Sequence, residues 1–340
     1  MNKRQMITVL IPAYNEAANL PDLLEALDRL SKGELEYHSI TGLKPEELQD
    51  MKEYDWEFLF VNDGSNDDTL RILLDARERD GRINVVDLSR NFGKENALLA
   101  GFDYAKGDAV VIIDADLQHP VEMIPEMIHY WREGYDDVYG RRAERGPEPM
   151  ARKAFSTLFY RMLKGSTKME VVANAGDFRL MDREMVDQLR RLRETNRYTK
   201  GLYSWVGYRK KELPFYVKER VHGKSTFNFR SLFNLAMEGI TSFSITPLRV
   251  ATILGFFVSL LALAYIIFII IKTCAYGEPV QGFPTIMCAI LFLGGVQLIS
   301  LGIIGEYIGR IYTETKSRPG YIARSVNGKR PAEPGHITAD

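Results

Sequence analysis

The chain has 340 residues, of which 46% are hydrophobic, with 44 basic and 45 acidic side chains and a net charge of −1. That balance excludes a nucleic-acid binder steered by an overall basic surface, and the length is enough to bury a substantial core. Only Cys274 and Cys288 are present, both in or beside apolar segments, which excludes a disulfide framework and a cysteine-rich metal cluster.

The N-terminus passes from a basic start into ITVLIP, an apolar run too short for the core of a signal peptide and read as a first strand. Three further runs rich in Val and Ile follow, EFLFVND, INVVDLS and AVVIIDAD, and they alternate with helical patterns at 17–30, 67–79, 94–105 and 121–133. Continuous hydrophobicity marks strands covered on both faces, so the order predicts a mostly parallel, doubly wound α/β sheet. Ligands of such sheets sit at the carboxyl ends of the strands. Here those ends carry Asn15 and Glu16, Asn62 and Asp63, Ser89 and Arg90, and Asp114 and Asp116, so one rim collects the chemistry. After Asp63, Ser65 or Asn66 is expected to cap the second helix, with Asp67 and Asp68 favouring its dipole.

A polar insertion at 31–55 separates the first two runs; Pro45 suits the first turn of a short helix there, and the segment reads first as surface decoration, with a cover over the donor site or a contact with another subunit as the alternatives. In DADLQHP, Asp114 and Asp116 lie two residues apart at a strand end, where extended geometry points both side chains the same way. Two adjacent anions call for a cation. Oxygen ligands suit Mg2+ or Mn2+, whereas zinc favours His or Cys. Taken alone, the pair also suits a solvated loop or a cap. From Arg141 onward the pattern turns helical and basic, through ARKAFSTLFYRMLK, DREMVDQLRRLRE and KKELPFYVKERVHGKS, segments expected to flank the rim.

Composition changes after Pro247. Val250 to Ile271 carries no charge over 22 residues, and Pro284 to Ile304 has Gln297 as its one strongly polar side chain. Each is long enough to cross about 30 Å of hydrocarbon. The connecting stretch holds one lysine, while Arg249, Arg310, Lys316, Arg318 and Arg324 lie outside the spans, which places both termini in the cytoplasm. Just before the first span, Phe229, Leu232, Phe233, Ala236, Met237 and Ile240 recur at helical spacing, a stripe suited either to the bilayer surface or to packing on the soluble domain.

Five stretches, IPAYNE (11–16), VNDGSNDDT (61–69), LSRNFGKENALLAG (88–101), DADLQHP and GDFRLMDR (176–183), together resemble the family 2 glycosyltransferases of the GT-A fold. The branch is that of dolichyl-phosphate mannose synthase and the bacterial polyprenyl-phosphate (bactoprenol) hexosyltransferases. The resemblance covers nearly the whole chain, because the two spans and GEYIGRIYTETKSRPGY also resemble the bacterial members. It implies an α/β, Rossmann-like GT-A catalytic domain over 1–226 with the 31–55 insertion, then interfacial amphipathic helices at 227–247. A two-helix transmembrane hairpin at 248–306 and a cytoplasmic juxtamembrane tail at 307–340 complete the expected organisation.

The resemblance assigns Pro12, Tyr14 and Glu16 to the base and ribose pocket of a nucleotide sugar, with Asp63 beside the base. Asp114, Ala115, Asp116 and Gln118 fall at the donor diphosphate, where Asp114 and Asp116, with Gln118 as a further ligand, would hold Mg2+ or Mn2+. Arg141 and Arg152 match phosphate-binding arginines, Arg141 toward both the nucleotide sugar and the acceptor phosphate and Arg152 toward the acceptor phosphate, and Arg220 and Lys224 match a basic loop nearer the donor. Asp177 falls where some members place a base, so Asp116, Asp177 and Arg141 are the expected catalytic residues.

The implied activity is the inverting transfer of one hexose from a UDP- or GDP-linked sugar to polyprenyl phosphate at the inner membrane, for glycan or lipopolysaccharide modification. The implied partners are the donor, the lipid acceptor, the bilayer and further copies of the chain, with no nucleic acid. Two alternatives compete. A polysaccharide synthase usually needs a QxxRW-type motif and more spans, and RYTKGLYSWVG lacks the preceding QxxR; an inactive scaffold would not need Asp63, Asp114, Asp116 and Arg141 intact. The GKST at 223–226 is no Walker A loop, since Lys218 stands where the upstream glycine belongs, and no GxGxxG opens the first helix. His119 and His222 are isolated, and His119 reads as a loop histidine that positions its neighbours.

Overall fold

The structure is a computed structural model. It describes residues 4–37, 39, 41–142, 175–195, 197–215, eight positions between 255 and 271, and 282–331. The described residues divide into two units, one holding 4–142, 175–215 and 318–331 and the other 255–317.

In the first unit eight strands form one sheet: β1 (Met6–Ala13), β2 (Asp55–Asn62), β3 (Ile83–Leu88), β4 (Ala109–Ile112), β5 (Asp137–Arg142), β6 (Ala175–Asp182), β7 (Lys210–Phe215) and β8 (Ala323–Val326). Their order is β7-β5-β6-β4-β1-β2-β3-β8. β1 pairs in parallel with β2 and β4, β2 with β3, and β5 with β7, while β6 and β8 run antiparallel to their neighbours. This is the Rossmann-like, mostly parallel sheet expected of a GT-A domain.

The apolar runs do what their continuity implies. Ile7, Val9 and Ile11 share a core with Leu23 and Leu27 of α1 (Leu20–Ser31), Leu73 of α2 (Thr69–Arg79), and Met127 and Ile128 of α4 (Ile124–Arg132). Leu10, Val110 and Ile112, in the alternate phase, are equally buried. On that second side α3 (Lys94–Tyr104) packs on β1, β2 and β3, and α5 (Arg183–Arg191) on α3 and β4. Burial of this kind is worth about 1.5–3 kcal/mol per large aliphatic side chain.

Three elements depart from the sequence reading. Residues 210–215 were expected in a helical, basic stretch, but they form β7, where Leu213 and Phe215 are buried in strand alternation and Pro214 is tolerated at the sheet edge. In the tail, 323–326 adds β8 to the other edge, along β3. The insertion does form a short 3-10 helix at Pro45–Glu47, but its flanks are built into the domain. The Tyr37 hydroxyl donates to Glu126 Oε2 at 3.1 Å, Thr41 bonds the other Glu126 oxygen, and Met51 and Tyr54 lie in the core.

In the second unit α7 runs over Phe283–Thr315, 33 residues, or about 50 Å. It begins where the second span was expected but continues past Ile304 through the charged Glu306, Arg310 and Glu314. Among the described residues it is the one helix long and apolar enough to cross a membrane, judged over Phe292–Thr315 at a mean hydropathy of 1.4. Gly255 and Val258 line a cleft of about 410 Å³ with Val296, Gln297 and Ser300, so these two residues lie beside α7. Residues 227–247 and most of 250–271 lie outside the described residues.

Candidate active site

Because β1, β2, β4 and β5 run the same way, their carboxyl ends share one rim, and antiparallel β6 begins there. At this rim the loops after β1 and β2 are zipped together. The Asn15 N–H donates to Ser65 Oγ at 3.0 Å, Asn66 N–H to Asn15 Oδ1 at 2.8 Å, and Glu16 N–H to Thr69 Oγ1 at 2.9 Å. Ser65 and Asn66 therefore do not cap α2 as expected; Asp67 instead accepts from Thr69 N–H at 3.0 Å, Ser65 being turned toward the first loop. Glu16 accepts from Asn19 Nδ2 at 2.6 Å, Pro12 is half-buried in β1, and the Tyr14 ring is exposed.

Asp63 is buried, and both its oxygens are engaged: Phe92 N–H donates to Oδ1 at 2.7 Å and Gly93 N–H to Oδ2 at 2.9 Å. Burial pushes its carboxyl up, against the pull of those two N–H donors. The preceding loop comes close because Gly64, at φ +66°, has no side chain; a Cβ there would meet the backbone of Arg90 and Asn91. Gly93, at φ +88°, then turns the chain into α3. The first residue of that helix is Lys94. Its Nζ lies 2.6 Å from Asp114 Oδ1 and 2.9 Å from Asp177 Oδ2. Sheet register explains the meeting: Ile112 faces Arg179 across the antiparallel β4–β6 pair, so two residues further on Asp114 comes opposite Asp177.

β4 ends at Ile112, so Asp114 and Asp116 lie in the turn beyond it rather than on an extended strand end. Leu117 takes a left-handed conformation, φ +60°, and Gln118 N–H donates to Asp116 Oδ1 at 3.2 Å. Ala115 is buried. His119 pins the turn. Its Nδ1 accepts from Asp114 N–H at 3.0 Å while its ring stacks on Phe178 at 4.9 Å between centroids. Burial pulls the imidazole pKa down, consistent with a neutral ring that carries its proton on Nε2.

Burial by itself would raise the Asp177 carboxyl, yet the charge of Lys94 holds it well below the usual carboxylate range. Burial likewise works against the Lys94 ammonium, and Asp177 and Asp114 overcome it, keeping the lysine charged. Behind Asp177, Arg179 makes a buried ion pair with Asp137 at 2.9 Å and stacks 3.6 Å from the Tyr203 ring centroid. Glu95, next to Lys94, accepts from Thr199 N–H at 3.0 Å and so caps α6 (Thr199–Trp205). Arg141, at the end of β5, pairs through Nε with Glu212 Oε1 at 2.7 Å. Arg152, Arg220 and Lys224 lie outside the described residues.

Residues 8–190 match the glycosyl transferase family 2, and residues 246–311 match the GtrB C-terminal hairpin. Along the full chain, an uncharacterized glycosyltransferase of Synechocystis sp. is 46% identical over 95% of this chain and 96% of its own. The chain belongs to glycosyl transferase family 2. The bactoprenol glucosyl transferase of Shigella phage SfV is 41% identical over 95% of this chain and 99% of its own. The putative glycosyltransferase CsbB of Bacillus subtilis is 42% identical over 96% of this chain and 93% of its own.

In this family 2 glycosyltransferase the rim suits a divalent cation that completes its coordination from outside. Among the described residues no three His, Cys, Asp or Glu side chains form a ready cage. Asp114 and Asp177 outnumber Lys94, however, and the buried Asp177 Oδ1 has no hydrogen-bond partner among the described residues. An oxygen-only, incompletely filled site of this kind fits Mg2+ or Mn2+, which keep positions for water and phosphate oxygens. The structure brings together Asp114 and Asp177, which the sequence singled out, through Lys94, which it left without a role, while Asp63 holds the loop that leads into that lysine. The signal was present: a lysine in the first turn of a helix opposes the macrodipole, so a nearby acidic partner is to be sought.

Proposed function

We propose that this chain moves one hexose from a nucleotide sugar to polyprenyl phosphate at the cytoplasmic face of a membrane, with inversion at the anomeric carbon. The observation that carries this reading is the likeness to bactoprenol glucosyl transferases, which runs through both the acidic rim and the apolar hairpin. The hairpin holds the catalytic domain at the surface where a lipid acceptor is presented, with both termini on the cytoplasmic side. The relatives' name makes UDP-glucose the first donor to test.

Asp114 and Asp116 would hold Mg2+ or Mn2+, with Gln118 in the same turn. When bound, such a cation neutralises charge developing on the departing diphosphate. Pro12, Tyr14 and Glu16 border the base and ribose, and Asp63 shapes that pocket through the loop it clamps. Arg220 and Lys224 reach the donor from a basic loop, while Arg141 and Arg152 receive the acceptor phosphate. At Arg141 the phosphate competes with Glu212 for the guanidinium. The acceptor phosphate is already ionised near neutral pH, its second pKa being about 6, so a strong base is not needed. This agrees with Asp177, whose lowered pKa makes it a weak proton acceptor. Positioning and charge compensation then carry the rate, and attack from the face opposite the leaving group inverts the sugar.

Membranes containing the protein, incubated with polyprenyl phosphate, Mg2+ or Mn2+ and labelled UDP-glucose, UDP-N-acetylhexosamines, UDP-galactose or GDP-mannose, should yield one lipid-linked hexose from one donor. A ladder of products would mark a polysaccharide synthase, and no nucleotide-sugar binding in the presence of metal would mark a scaffold. Asp116→Ala should lower turnover at least about 100-fold, the scale of losing an electrostatic transition-state contact, with an unchanged melting temperature. Retained activity in that variant would remove Asp116 from the site.

A further inference from the structure

We propose that Lys94 is a built-in competitor of the divalent cation: it occupies Asp114 in the metal-free protein and makes tight metal binding depend on the donor diphosphate. The inference rests on the reading of Asp114 as a metal ligand. Three independent features place this ammonium. Asp63 fixes the backbone of Phe92 and Gly93, Gly93 supplies the left-handed turn, and Lys94 opens α3 against its dipole. The result is one cation shared between Asp114 Oδ1 at 2.6 Å and Asp177 Oδ2 at 2.9 Å.

Such a cation changes what the acids can bind. A divalent ion arriving at Asp114 meets an oxygen already in contact with an ammonium, and the two positive charges repel at short range. A nucleoside diphosphate brings the missing negative charge, so metal and diphosphate bind together more readily than metal alone. Asp177 keeps the displaced ammonium at the rim, within reach of added phosphate charge. Lys94 is thus a positioning residue: it ties occupation of the metal site to arrival of the donor, and bare metal cannot saturate the rim ahead of substrate.

The experiment uses the full chain in detergent and measures free Mn2+ by electron paramagnetic resonance, with and without UDP or GDP, alongside a thermal melt. In Lys94→Met, Mn2+ alone should bind about tenfold tighter than in the wild type, because two carboxylates lose their resident counter-ion. The gain in Mn2+ affinity on adding nucleoside diphosphate should shrink in the same variant. Damage to the fold would weaken binding, so the direction of the change separates competition from a structural role. If Lys94→Met does not fold, Lys94→Gln carries the same test. Mn2+ binding that depends on Asp114, by Asp114→Asn, but is no tighter in either lysine variant overturns the inference and leaves the metal site standing. Failure of the wild type to bind Mn2+ with or without diphosphate overturns both.

Discussion

Asp63 illustrates how one side chain can serve a site without touching chemistry. The resemblance places it beside the nucleotide base, and the structure shows both its oxygens accepting from the loop that leads into Lys94. A carboxylate oxygen has a second lone pair, so a base N–H can still be received. Its first effect is mechanical: removal frees Phe92 and Gly93 and with them the start of α3. Asp63→Ala should cost on the order of 1–3 kcal/mol, read as a lowered melting temperature, and should raise the donor KM. An unchanged melt with a raised KM would restrict Asp63 to contact with the donor.

At the same scale, the sequence exposes the aspartates better than their geometry. Asp114 and Asp116 stand out because carboxylates interrupt an apolar run, and that signal survives although the chain has already left β4 when it reaches them. Lys94 shows in the sequence only as a lysine set against a helix dipole, and what it pairs with is opaque for a different reason. Its partner Asp177 is distant in sequence and arrives only through the antiparallel pairing of β4 with β6, which no local pattern reveals.

Among the elements, β1 to β4 are legible because each is a continuous apolar run between helical patterns, and the two covered faces follow from that continuity. β7 is not, since Lys210, Lys211 and Glu212 are good helix formers and only Leu213 and Phe215 hint at strand alternation. The 31–55 insertion reads as decoration from its polarity, yet Glu126 is fully buried and receives Tyr37 and Thr41. Glu126→Ala should therefore cost about 1–3 kcal/mol and speed hydrogen exchange across 37–54, leaving the β1–β4 strands protected. Equal exchange in variant and wild type would show that the core contacts of Met51 and Tyr54 suffice.

The tail strand β8 is held by more than its ladder. Asn327 Oδ1 accepts from Val85 N–H at 2.8 Å, and the Tyr321 hydroxyl donates to Asp103 at 2.7 Å, where Arg193 also makes a paired contact. Covering the β3 edge removes a row of unpaired backbone groups that would otherwise recruit other strands. Tyr321→Phe should lower the melting temperature modestly, by about 1 kcal/mol of stability, and increase exchange at the β3 amides. Protection that stays unchanged would mean that the backbone ladder alone holds the edge.

For the molecule as a whole, a transferase domain and an apolar hairpin in one chain make sense if one substrate is soluble and the other is confined to a membrane. On the proposed function, the soluble donor goes to the strand ends where acids collect, and the apolar hairpin gives the chain access to the membrane-confined acceptor. The most direct test is release of nucleoside diphosphate by the purified protein in a defined lipid bilayer, with metal and polyprenyl phosphate each added or withheld. Release, with one hexose added per lipid, is expected only when Mg2+ or Mn2+ and polyprenyl phosphate are both present. Equal release with metal chelated, or transfer to a growing glycan without the lipid phosphate, would contradict it.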